Sequence, residues 1–291
     1  MQDREPTIRG RVLGEGLRRA MANARLTGKA AAHQLDWDES KISRMLSGKR
    51  PGSEVDTAAL LALCRVHGEE RNRLLSLARD QSTQGLLRQH GSHLPKEVAE
   101  LVEHENLAVE LINYEGVGVP GLLQTDEYAT AVITALPNVP RSEIQERVAI
   151  RLARQALLSA PGSRNFTFYL HEFVLRLPVG GPAVMSAQLH KLLQLSVRLN
   201  ITIRVLPAEL GAHAAFCGSF MFLEFADFHP VIYLESDTSS LFLEKQEEST
   251  AYRQIIASLA GNALDVGQSR ELISQVAVEL YADGDDHYDL T

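Results

Sequence analysis

Two short helical segments separated by only three residues are the feature that most constrains how this chain can fold. Thr27 stands before the first segment, residues 28–35, and Asp38 stands before the second, residues 39–47. Side chains of this kind accept hydrogen bonds from the first free N–H groups of a helix, so each marks a helix start. Gly48 follows the second segment and suits the left-handed conformation that ends many helices. The chain must therefore turn sharply between two helices of about two turns each.

Apolar residues at helical spacing predict three further helices around this pair. The first covers residues 12–24, and the other two follow Ser53 and Glu69. Small side chains in Ala31-Ala32 allow the paired helices to cross closely. We predict an all-α domain of five helices over residues 1–80 that contains a helix-turn-helix.

The second helix of the pair is expected to present a polar, mostly basic face. Ile42 and either Met45 or Leu46 would anchor the helix from beneath, and its size suits the DNA major groove. The residues expected to contact base edges are Glu39, Ser40, Lys41, Ser43 and Arg44. Free N–H groups and the helix dipole at the start of the first helix suit a phosphate. The residues expected to contact phosphates are Thr27, Gly28, Lys29, Lys49 and Arg50. The alternative interpretation is an ordinary solvated helix face.

Several stretches of this region resemble the XRE (Cro/C1-repressor-like) helix-turn-helix family. They are Leu26-Thr27, Lys29-Ala30-Ala31-Ala32, Gln34-Leu35, Ser40-Lys41-Ile42-Ser43-Arg44 and Ser47-Gly48-Lys49-Arg50-Pro51. The resemblance covers about residues 10–66 and implies binding to double-stranded DNA. The turn position that the family often fills with Gly is Asp36 here, and Asp tolerates the left-handed conformation better than most residues. Trp37 is expected to cover the small core, with a DNA contact as the alternative.

Charge divides the chain unevenly. The whole sequence carries a net charge of −8, yet residues 1–80 hold 15 Lys and Arg against 11 Asp and Glu, a net of +4. The remaining residues therefore carry a net charge of −12. A basic head on an acidic body is compatible with one end that touches phosphates while the other stays away from them, although chance unevenness is the alternative.

The rest of the chain is predicted to form a linker over residues 81–95, an α+β domain over residues 96–282 and a disordered acidic tail over residues 283–291. Periodicity predicts helices over residues 96–113, 126–135, 142–159, 186–199, 244–259 and 269–281. It predicts a small sheet of about four strands, over residues 166–175, 201–206, 219–225 and 231–235. Ser142 and Gln145 have the spacing of a capping box. The chain is therefore expected to be mainly α, and α+β as a whole.

A second resemblance runs along this larger domain. Its motifs, in chain order, are Pro120-Gly121-Leu122-Leu123-Gln124-Thr125, Arg154-Gln155, Glu172 with Leu175-Arg176, Pro178 with Gly180-Gly181, Met185 with Gln188-Leu189, Val205-Leu206-Pro207 and Gly211-Ala212-His213. Together with the helix-turn-helix they resemble the actinobacterial WhiJ-like regulators of development and antibiotic production, which join an XRE helix-turn-helix to a C-terminal domain of unknown function. The resemblance implies a Gram-positive, high-GC source and a small partner protein that is encoded nearby in a toxin–antitoxin-like arrangement.

Residues that could support catalysis do not form a recognisable set. His171-Glu172 lacks the second His that a helical zinc motif needs four residues later. His213 and Cys217 lie four residues apart, but no further pair completes a tetrahedral metal site. The sequence contains no phosphate loop, dinucleotide fingerprint or nucleophile elbow. We predict that the protein is not an enzyme and uses no cofactor and no metal.

Polar residues near strand ends of the larger domain are candidates for a ligand or partner pocket. They are Glu172, Arg176, His213 and Glu235. The alternative is that Glu172 and Arg176 form a structural ion pair and that His213 is a loop histidine with its hydrogen bonds satisfied, and the sequence leaves both interpretations open. Residues 120–125 are expected to shape a tight turn rather than to bind anything.

These features together predict a sequence-specific transcriptional regulator that acts as a repressor. It would bind its operator as a homodimer, because one short recognition helix reads few base pairs. The C-terminal domain would mediate dimerisation, partner binding or the sensing of a small-molecule effector. An alternative is an antitoxin-like interaction module that sequesters the small partner protein, with autoregulatory DNA binding.

The expected location is the cytoplasm, in association with the nucleoid. Cys64 and Cys217 lie far apart and indicate a reducing compartment. No apolar run reaches the roughly 18 residues that a membrane helix needs, and the first residues are polar, unlike a signal peptide. We therefore expect no membrane partner.

Overall fold

The computed structural model describes residues 8–49, 52–79, 87–89, 101–102, 104–159, 164–226, 229–236 and 239–285. The chain divides into two compact units, Met1–Leu86 and Leu87–Thr291. No helix in these described stretches combines the length and the apolar character that crossing a membrane requires.

Much of the expected linker and acidic tail lies outside the described residues. This holds for residues 81–86 and 90–95 of the linker and for residues 286–291 of the tail. Of the described remainder, residues 87–89 form a strand of the second unit, and residues 283–285 complete its last helix.

The described part of the first unit contains five helices, as expected. They are α1 (Ile8–Asn23), α2 (Gly28–Leu35), α3 (Glu39–Leu46), α4 (Glu54–Leu63) and α5 (Gly68–Arg79). The caps predicted for the central pair are present. Oγ1 of Thr27 accepts the N–H of Ala30 at 3.2 Å, and Oδ1 of Asp38 accepts the N–H of Ser40 at 2.7 Å. These two hydrogen bonds define where the paired helices begin.

The turn between α2 and α3 needs one left-handed residue, and Asp36 supplies it with φ 53° and ψ 46°. The N–H of Trp37 then donates to the carbonyl of Ala32 at 2.9 Å, which closes the end of α2. Gly48 follows α3 with φ 72°, so the predicted left-handed glycine is confirmed.

All five helices contribute to the core of the first unit. Leu17, Ile42 and Leu60 are almost completely buried there. Removing a side chain of this size from water stabilises the fold by roughly 1.5–3 kcal/mol. Trp37 is partly buried against the same cluster, in agreement with its expected role as a cover over the core.

Two glycines let α1 lie directly against the C-terminal end of α3. A Cβ atom on Gly14 would collide with the carbonyl oxygen of Leu46, and one on Gly48 would stand 2.6 Å from the carbonyl of Gly10. Only residues without a side chain permit this approach. The far end of α3 is therefore held by backbone contact as well as by its buried side chains.

The second unit combines a mixed sheet with helices. Its strands are β1 (Leu87–Gln89), β2 (Glu110–Glu115), β3 (Asn165–His171), β4 (Ile201–Leu206), β5 (Phe220–Glu224), β6 (Val231–Ser236) and β7 (Ser239–Leu243). Residues 101–102 and 104–107 are helical, and the helices that follow are α6 (Asp126–Ala135), α7 (Ile144–Arg154), α8 (Glu172–Arg176), α9 (Pro182–Ser196), α10 (Gln246–Asn262) and α11 (Val266–Asp285). The predicted α+β class is confirmed.

The sheet has the strand order β1-β7-β6-β5-β2-β3-β4. Strands β2, β3 and β4 are parallel, whereas β5, β6 and β7 are antiparallel to their neighbours. Strand β2 is therefore the boundary between a parallel and an antiparallel half. The sheet, with six strands of five to seven residues and the short β1 at its edge, is larger than the four strands predicted.

One of the extra strands comes from a segment that the sequence assigned to a helix, and another comes from a segment that the sequence left unassigned. The helix expected over residues 96–113 does not extend that far, because residues 110–113 belong to β2 and pair with both β3 and β5. A strand covered on both faces lacks the alternation that reveals strands, so its apolar run resembles a helix. Strand β7 closes a hairpin with β6, which no sequence signal had indicated.

Two element boundaries also differ from expectation. The strand predicted over residues 166–175 ends at His171, whose Nδ1 accepts the N–H of Phe173 at 3.1 Å and so starts α8. The capping box predicted at Ser142 is absent: residues 141–143 form a 3-10 turn, and α7 begins at Ile144 without a side-chain cap.

The two faces of the sheet have different coverings. On one face, Tyr114, Phe222 and Ile232 pack against Leu259 and Ala263 at the end of α10. Because side chains alternate along a strand, Asn113 and Glu115 of β2 project to the opposite face. Polar groups of the second unit gather on this opposite face.

Candidate functional site

The outer surface of α3 keeps four of the five predicted base-contact residues together. Glu39, Ser40, Ser43 and Arg44, which we call the recognition face, are all exposed. Ile42 and Met45 on the other side of the helix are 1% and 0% exposed, respectively. The helix is thus anchored through one side and open on the other. Within the described residues, the Arg44 side chain makes no hydrogen bond, so its donors are available to a ligand.

Lys41, the fifth predicted base-contact residue, points elsewhere. Its Nζ lies 2.6 Å from Oδ1 of Asp56 and 3.9 Å from the centre of the Trp37 ring. Although burial raises the pKa of Asp56, hydrogen bonds from Lys41 and Ser53 hold it below its ordinary value. The structure therefore separates Lys41 from the recognition face and joins it to α4.

A groove connects the start of α2 with the recognition face. It has a volume of about 440 Å³ and is lined by Arg18, Gly28, Lys29, Glu39, Ile42, Ser43, Leu46 and Ser47. Thr27 and Lys29, predicted to contact phosphates, are exposed beside it. The groove therefore joins two predicted phosphate contacts, Gly28 and Lys29, to two predicted base contacts, Glu39 and Ser43.

The loop after α3 carries the remaining two predicted phosphate contacts. Lys49 is exposed, whereas Arg50 lies outside the described residues. At the start of this loop, Nε and Nη2 of Arg18 donate to the carbonyl of Leu46 at 3.3 and 3.1 Å. A cation at the C-terminus of a helix donates hydrogen bonds to free carbonyls and interacts favourably with the negative end of the helix dipole. Arg18 was missed at the sequence level because nothing distinguishes it from its neighbour Arg19.

Of the four polar residues predicted to line a C-terminal pocket, only Glu172 and Arg176 come into contact with each other. Glu172 and Arg176 form an ion pair at 2.9 Å, and Arg176 also pairs with Glu279 of α11 at 2.8 Å. The second carboxylate oxygen of Glu172 accepts the N–H of Ala208 at 3.0 Å. This geometry corresponds to the structural ion pair that was the alternative interpretation.

His213 lies on the face of the sheet that α10 covers. Its Nδ1 accepts the N–H of Ala215 at 3.2 Å, and its Nε2 lies 3.2 Å from the hydroxyl of Tyr114. Burial, and then the nearby His171, lower the pKa of His213. The ring is held by backbone and aromatic partners, as expected for a loop histidine with its hydrogen bonds satisfied.

Glu235 belongs to a different group, on the opposite face of the sheet. Together with Glu115, Arg151 and Tyr233 it forms what we call the polar cluster. Burial is the main cause that raises the pKa of Glu115, to about 7, and the charge of Glu235 adds to it. Burial and the charge of Glu235 also raise the pKa of Tyr233, so its hydroxyl stays protonated. Of these residues, only Glu235 was identified from the sequence.

Gln124 holds the arginine of the polar cluster in place. Its side-chain oxygen accepts Nη1 of Arg151 at 2.9 Å, and its side-chain nitrogen donates to the carbonyl of Val119 at 2.7 Å. The backbone carbonyl of Gln124 accepts Nζ of Lys191 and Nε2 of Gln155, each at 2.7 Å. With 4% of its surface exposed, Gln124 is a buried centre of this network.

Residues from three motifs that lie apart in the sequence meet at the loop of residues 120–125: the loop itself, Gln155 and Gln188. Gln188, which is completely buried, accepts the N–H of Thr125 at 2.7 Å and donates to the carbonyl of Leu123 at 2.8 Å. Residues 121–123 form a 3-10 turn and Thr125 caps α6, so the tight turn expected for this segment is present. The segment also positions Arg151, which the sequence did not suggest.

A buried ion pair lies next to the polar cluster. Nη2 and Nε of Arg154 donate to the two carboxylate oxygens of Glu105 at 2.6 and 3.0 Å. The two side chains are 13% and 2% exposed, so both charges are largely removed from water and neutralise each other.

Comparison with known families matches both units of the chain. A family model described as a helix-turn-helix domain matches residues 12–74. A second model, described as a domain of unknown function (DUF5753), matches residues 98–275, more than half of the chain. Neither a search of curated proteins nor one of solved structures returned a match. The expected combination of a helix-turn-helix with a C-terminal domain of unknown function is thereby confirmed.

Proposed function

This chain belongs to the DUF5753 family and carries a helix-turn-helix domain in front of the DUF5753 domain, and on that basis we propose that it is a sequence-specific transcriptional regulator of a double-stranded DNA operator. The observation that supports this most strongly is the recognition face. It stands on an eight-residue helix whose other side is locked into the core. A helix of this size enters a major groove without rearrangement.

The recognition face offers two charged groups for base edges. The exposed guanidinium of Arg44 suits a bidentate contact to O6 and N7 of a guanine. The exposed carboxylate of Glu39 accepts a hydrogen bond from N4 of a cytosine and repels phosphates. Ser40 and Ser43 have hydroxyls that adapt to several bases. Opposite charges on one helix face therefore favour binding to a defined base sequence over non-specific binding to DNA.

Phosphate contacts would come from the exposed Thr27 and Lys29 beside the groove and from Lys49 in the following loop. They would supply affinity without sequence information. With about 6 phosphate contacts per complex, affinity falls roughly a thousandfold between about 50 and 200 mM salt. The net charge of −12 beyond residue 80 would limit stray contacts of the second unit with DNA.

We further propose that two copies bind one operator and that the protein acts as a repressor rather than as an enzyme. One recognition helix reads only a few base pairs, so a second copy is needed for a unique site. The C-terminal unit would join the copies, receive a protein partner or sense an effector in the cytoplasm. The segment His171-Glu172 supports the non-enzymatic role, because Leu175 stands where a helical zinc motif needs its second His.

The proposed function is tested by selecting preferred duplexes from a randomised library with the full chain and titrating them by fluorescence anisotropy. We expect Arg44→Ala to weaken binding to the selected duplex by ~1–3 kcal/mol and to relax the base preference at one position. Arg19→Ala is the matched control, because Arg19 is exposed on α1 near Glu70 and away from the groove. Failure to select any sequence, or equal losses in the two variants, would remove the proposal.

A further inference from the structure

The connection between β4 and β5 carries a histidine whose two ring nitrogens are both engaged, which DNA binding does not explain. We propose that His213 is an acid-sensitive latch: its neutral ring holds residues 211–218, which we call the latch loop, against the sheet, and protonation of the ring releases the loop. The proposal concerns the second unit alone and goes beyond operator binding, so either can fail without the other.

The hydrogen bonds of His213 require an uncharged ring. Its Nδ1 accepts the N–H of Ala215 at 3.2 Å, so this nitrogen carries no proton. The single proton of the neutral ring then stands on Nε2, which donates to the hydroxyl oxygen of Tyr114 at 3.2 Å. A second proton would occupy Nδ1 and face the N–H of Ala215. Protonation therefore replaces a hydrogen bond with a contact between two donors.

The ring of His213 is also the polar attachment of the latch loop. Among the described residues, its hydrogen bond with Tyr114 is the only one that joins residues 212–217 to another part of the chain. The other hydrogen bonds of this segment stay within the loop. Ala215, 4% exposed, adds one small apolar side chain to the cluster that contains Tyr114 and Phe220. Loss of the ring contact therefore leaves the loop weakly held.

Both ends of the latch loop are glycines in conformations that side chains disfavour. Gly211 has φ 66° and Gly218 has φ 142°. A Cβ atom at either position would meet nothing within 4 Å, so the backbone angle, and not crowding, calls for glycine there. Small residues at loop ends absorb the changes of backbone angle in a moving loop. The latch loop thus has a hinge at each end and open space around both.

A second histidine lies against the latch. The ring centroids of His171 and His213 are 5.8 Å apart, with the ring planes inclined by 29°. His171 also accepts a backbone N–H through its Nδ1, that of Phe173. Two positively charged rings at this distance repel each other. Burial, and then His171, lower the pKa of His213, so the closed loop favours the neutral ring.

The titratable and charged groups around the two rings come from several elements. They are Tyr114 of β2, Glu172 and Arg176 of α8, Glu209 of the turn before the loop, Cys217 of the loop itself and Tyr252 of α10. The carboxylate of Glu172 already accepts hydrogen bonds from Arg176 and from the N–H of Ala208. In the part of the chain that the structure describes, no carboxylate pairs with His213, so a charge on its ring is not neutralised.

Release of the latch loop uncovers an aromatic surface. The ring of Phe220 lies 6.1 Å from that of Tyr114 and 4.9 Å from that of Tyr252, and Ala215 packs against this group. Phe216 of the loop is already 74% exposed beside it. The open loop therefore enlarges the exposed apolar area of the second unit at acid pH.

The direction of the pH effect follows from the two states of the loop. The pKa of His213 lies below the ordinary 6.5 in the closed loop and returns to it in the open loop. The stability of the closed loop is therefore fully present above about pH 6.5 and is lost as the pH falls through the lowered pKa. Hydrogen exchange followed by mass spectrometry on the full chain, corrected for the intrinsic pH dependence of exchange, measures this. We expect the protection of residues 211–218 to fall at least about fivefold between about pH 7.5 and pH 5, while β3 keeps its protection.

Variants assign the effect to His213. His213→Asn keeps an oxygen that accepts the N–H of Ala215 but does not titrate, so the protection of its loop should be independent of pH. His213→Ala should leave the loop open at both pH values. His190→Asn is the matched control and should behave as the wild type does, because Nδ1 of His190 lies 2.8 Å from the carbonyl oxygen of Ser186 in its own helix.

Three results would overturn the proposal. They are a wild-type loop with equal protection at both pH values, an equal fall in His213→Asn, and an equal loss of protection in β3, which would assign the change to unfolding of the whole unit. If His213→Ala fails to fold, the comparison of the wild type with His213→Asn decides.

Discussion

The ammonium of Lys41 lies 2.6 Å from the carboxylate of Asp56, and the other oxygen of that carboxylate accepts the N–H of Ser53 at 3.0 Å. One side chain thus joins the recognition helix to the capping box that starts α4. The loop with Lys49 connects α3, which contains Lys41, to Ser53, and Asp56 contacts both of these residues. Lys41 is therefore placed to hold the recognition face and the loop in register.

The position of Lys41 leads to a prediction about its role. Lys41→Met should lower the free energy of unfolding by about 1 kcal/mol, because an ion pair and a cation–π contact are lost. Affinity should fall similarly for all duplexes, with the base preference unchanged, and Lys41→Arg should restore it. Competition titrations against single-base variants of the selected duplex measure this. A changed preference at one base pair would return Lys41 to the base contacts that the sequence predicted.

Asp56 makes the stability of the first unit depend on pH. Its pKa in the folded chain lies below the ordinary value of 3.8, so its ionised form stabilises the fold above that pH. This contribution is lost as the pH falls through the folded pKa. We expect Asp56→Asn to be less stable than the wild type at about pH 6 and the difference to shrink towards about pH 3. Trp37 is the single tryptophan, so urea unfolding followed by its fluorescence reports on this unit. A difference that is constant with pH would assign the loss to packing.

Gly14 should be intolerant of any side chain. Gly14→Ala places a methyl group against the carbonyl oxygen of Leu46, which is backbone and cannot move aside cheaply. We expect a loss of about 1–3 kcal/mol in the free energy of unfolding, measured by Trp37 fluorescence. Gly261→Ala in α10 meets nothing within 4 Å and should stabilise the second unit by about 0.5–1 kcal/mol in unfolding followed by circular dichroism. Equal tolerance at both positions would show that α1 does not press on α3.

The pair of Glu105 with Arg154 should be costly to break from one side. Arg154→Met leaves a carboxylate that is 2% exposed without its partner, and we expect a loss of about 3–5 kcal/mol in urea unfolding. The double variant Glu105→Leu with Arg154→Met should recover much of this loss, because no charge then stays buried. Arg253→Met, which breaks an exposed pair, should cost less than about 1 kcal/mol. A double variant as unstable as the single one would contradict the role of the charge.

The sequence by itself determined the helix pair of the first unit. The signals for this pair act through hydrogen bonds and backbone angles within a few residues, so they can be recognised from residues that are close in the sequence. They come from Thr27, Asp36, Asp38 and Gly48. The same local physics predicted α6 to the residue and the anchored side of α3.

Only the tertiary structure decided the direction of Lys41, the identity of β2 as a strand and the assembly of the polar cluster. Lys41 meets a carboxylate 15 residues away, and β2 is paired on both sides with strands more than 50 residues distant. Arg151, Glu115 and Glu235 come from three elements, and no spacing in the sequence relates them. Long-range packing sets these contacts, because a side chain turns to whichever partner the fold brings within reach.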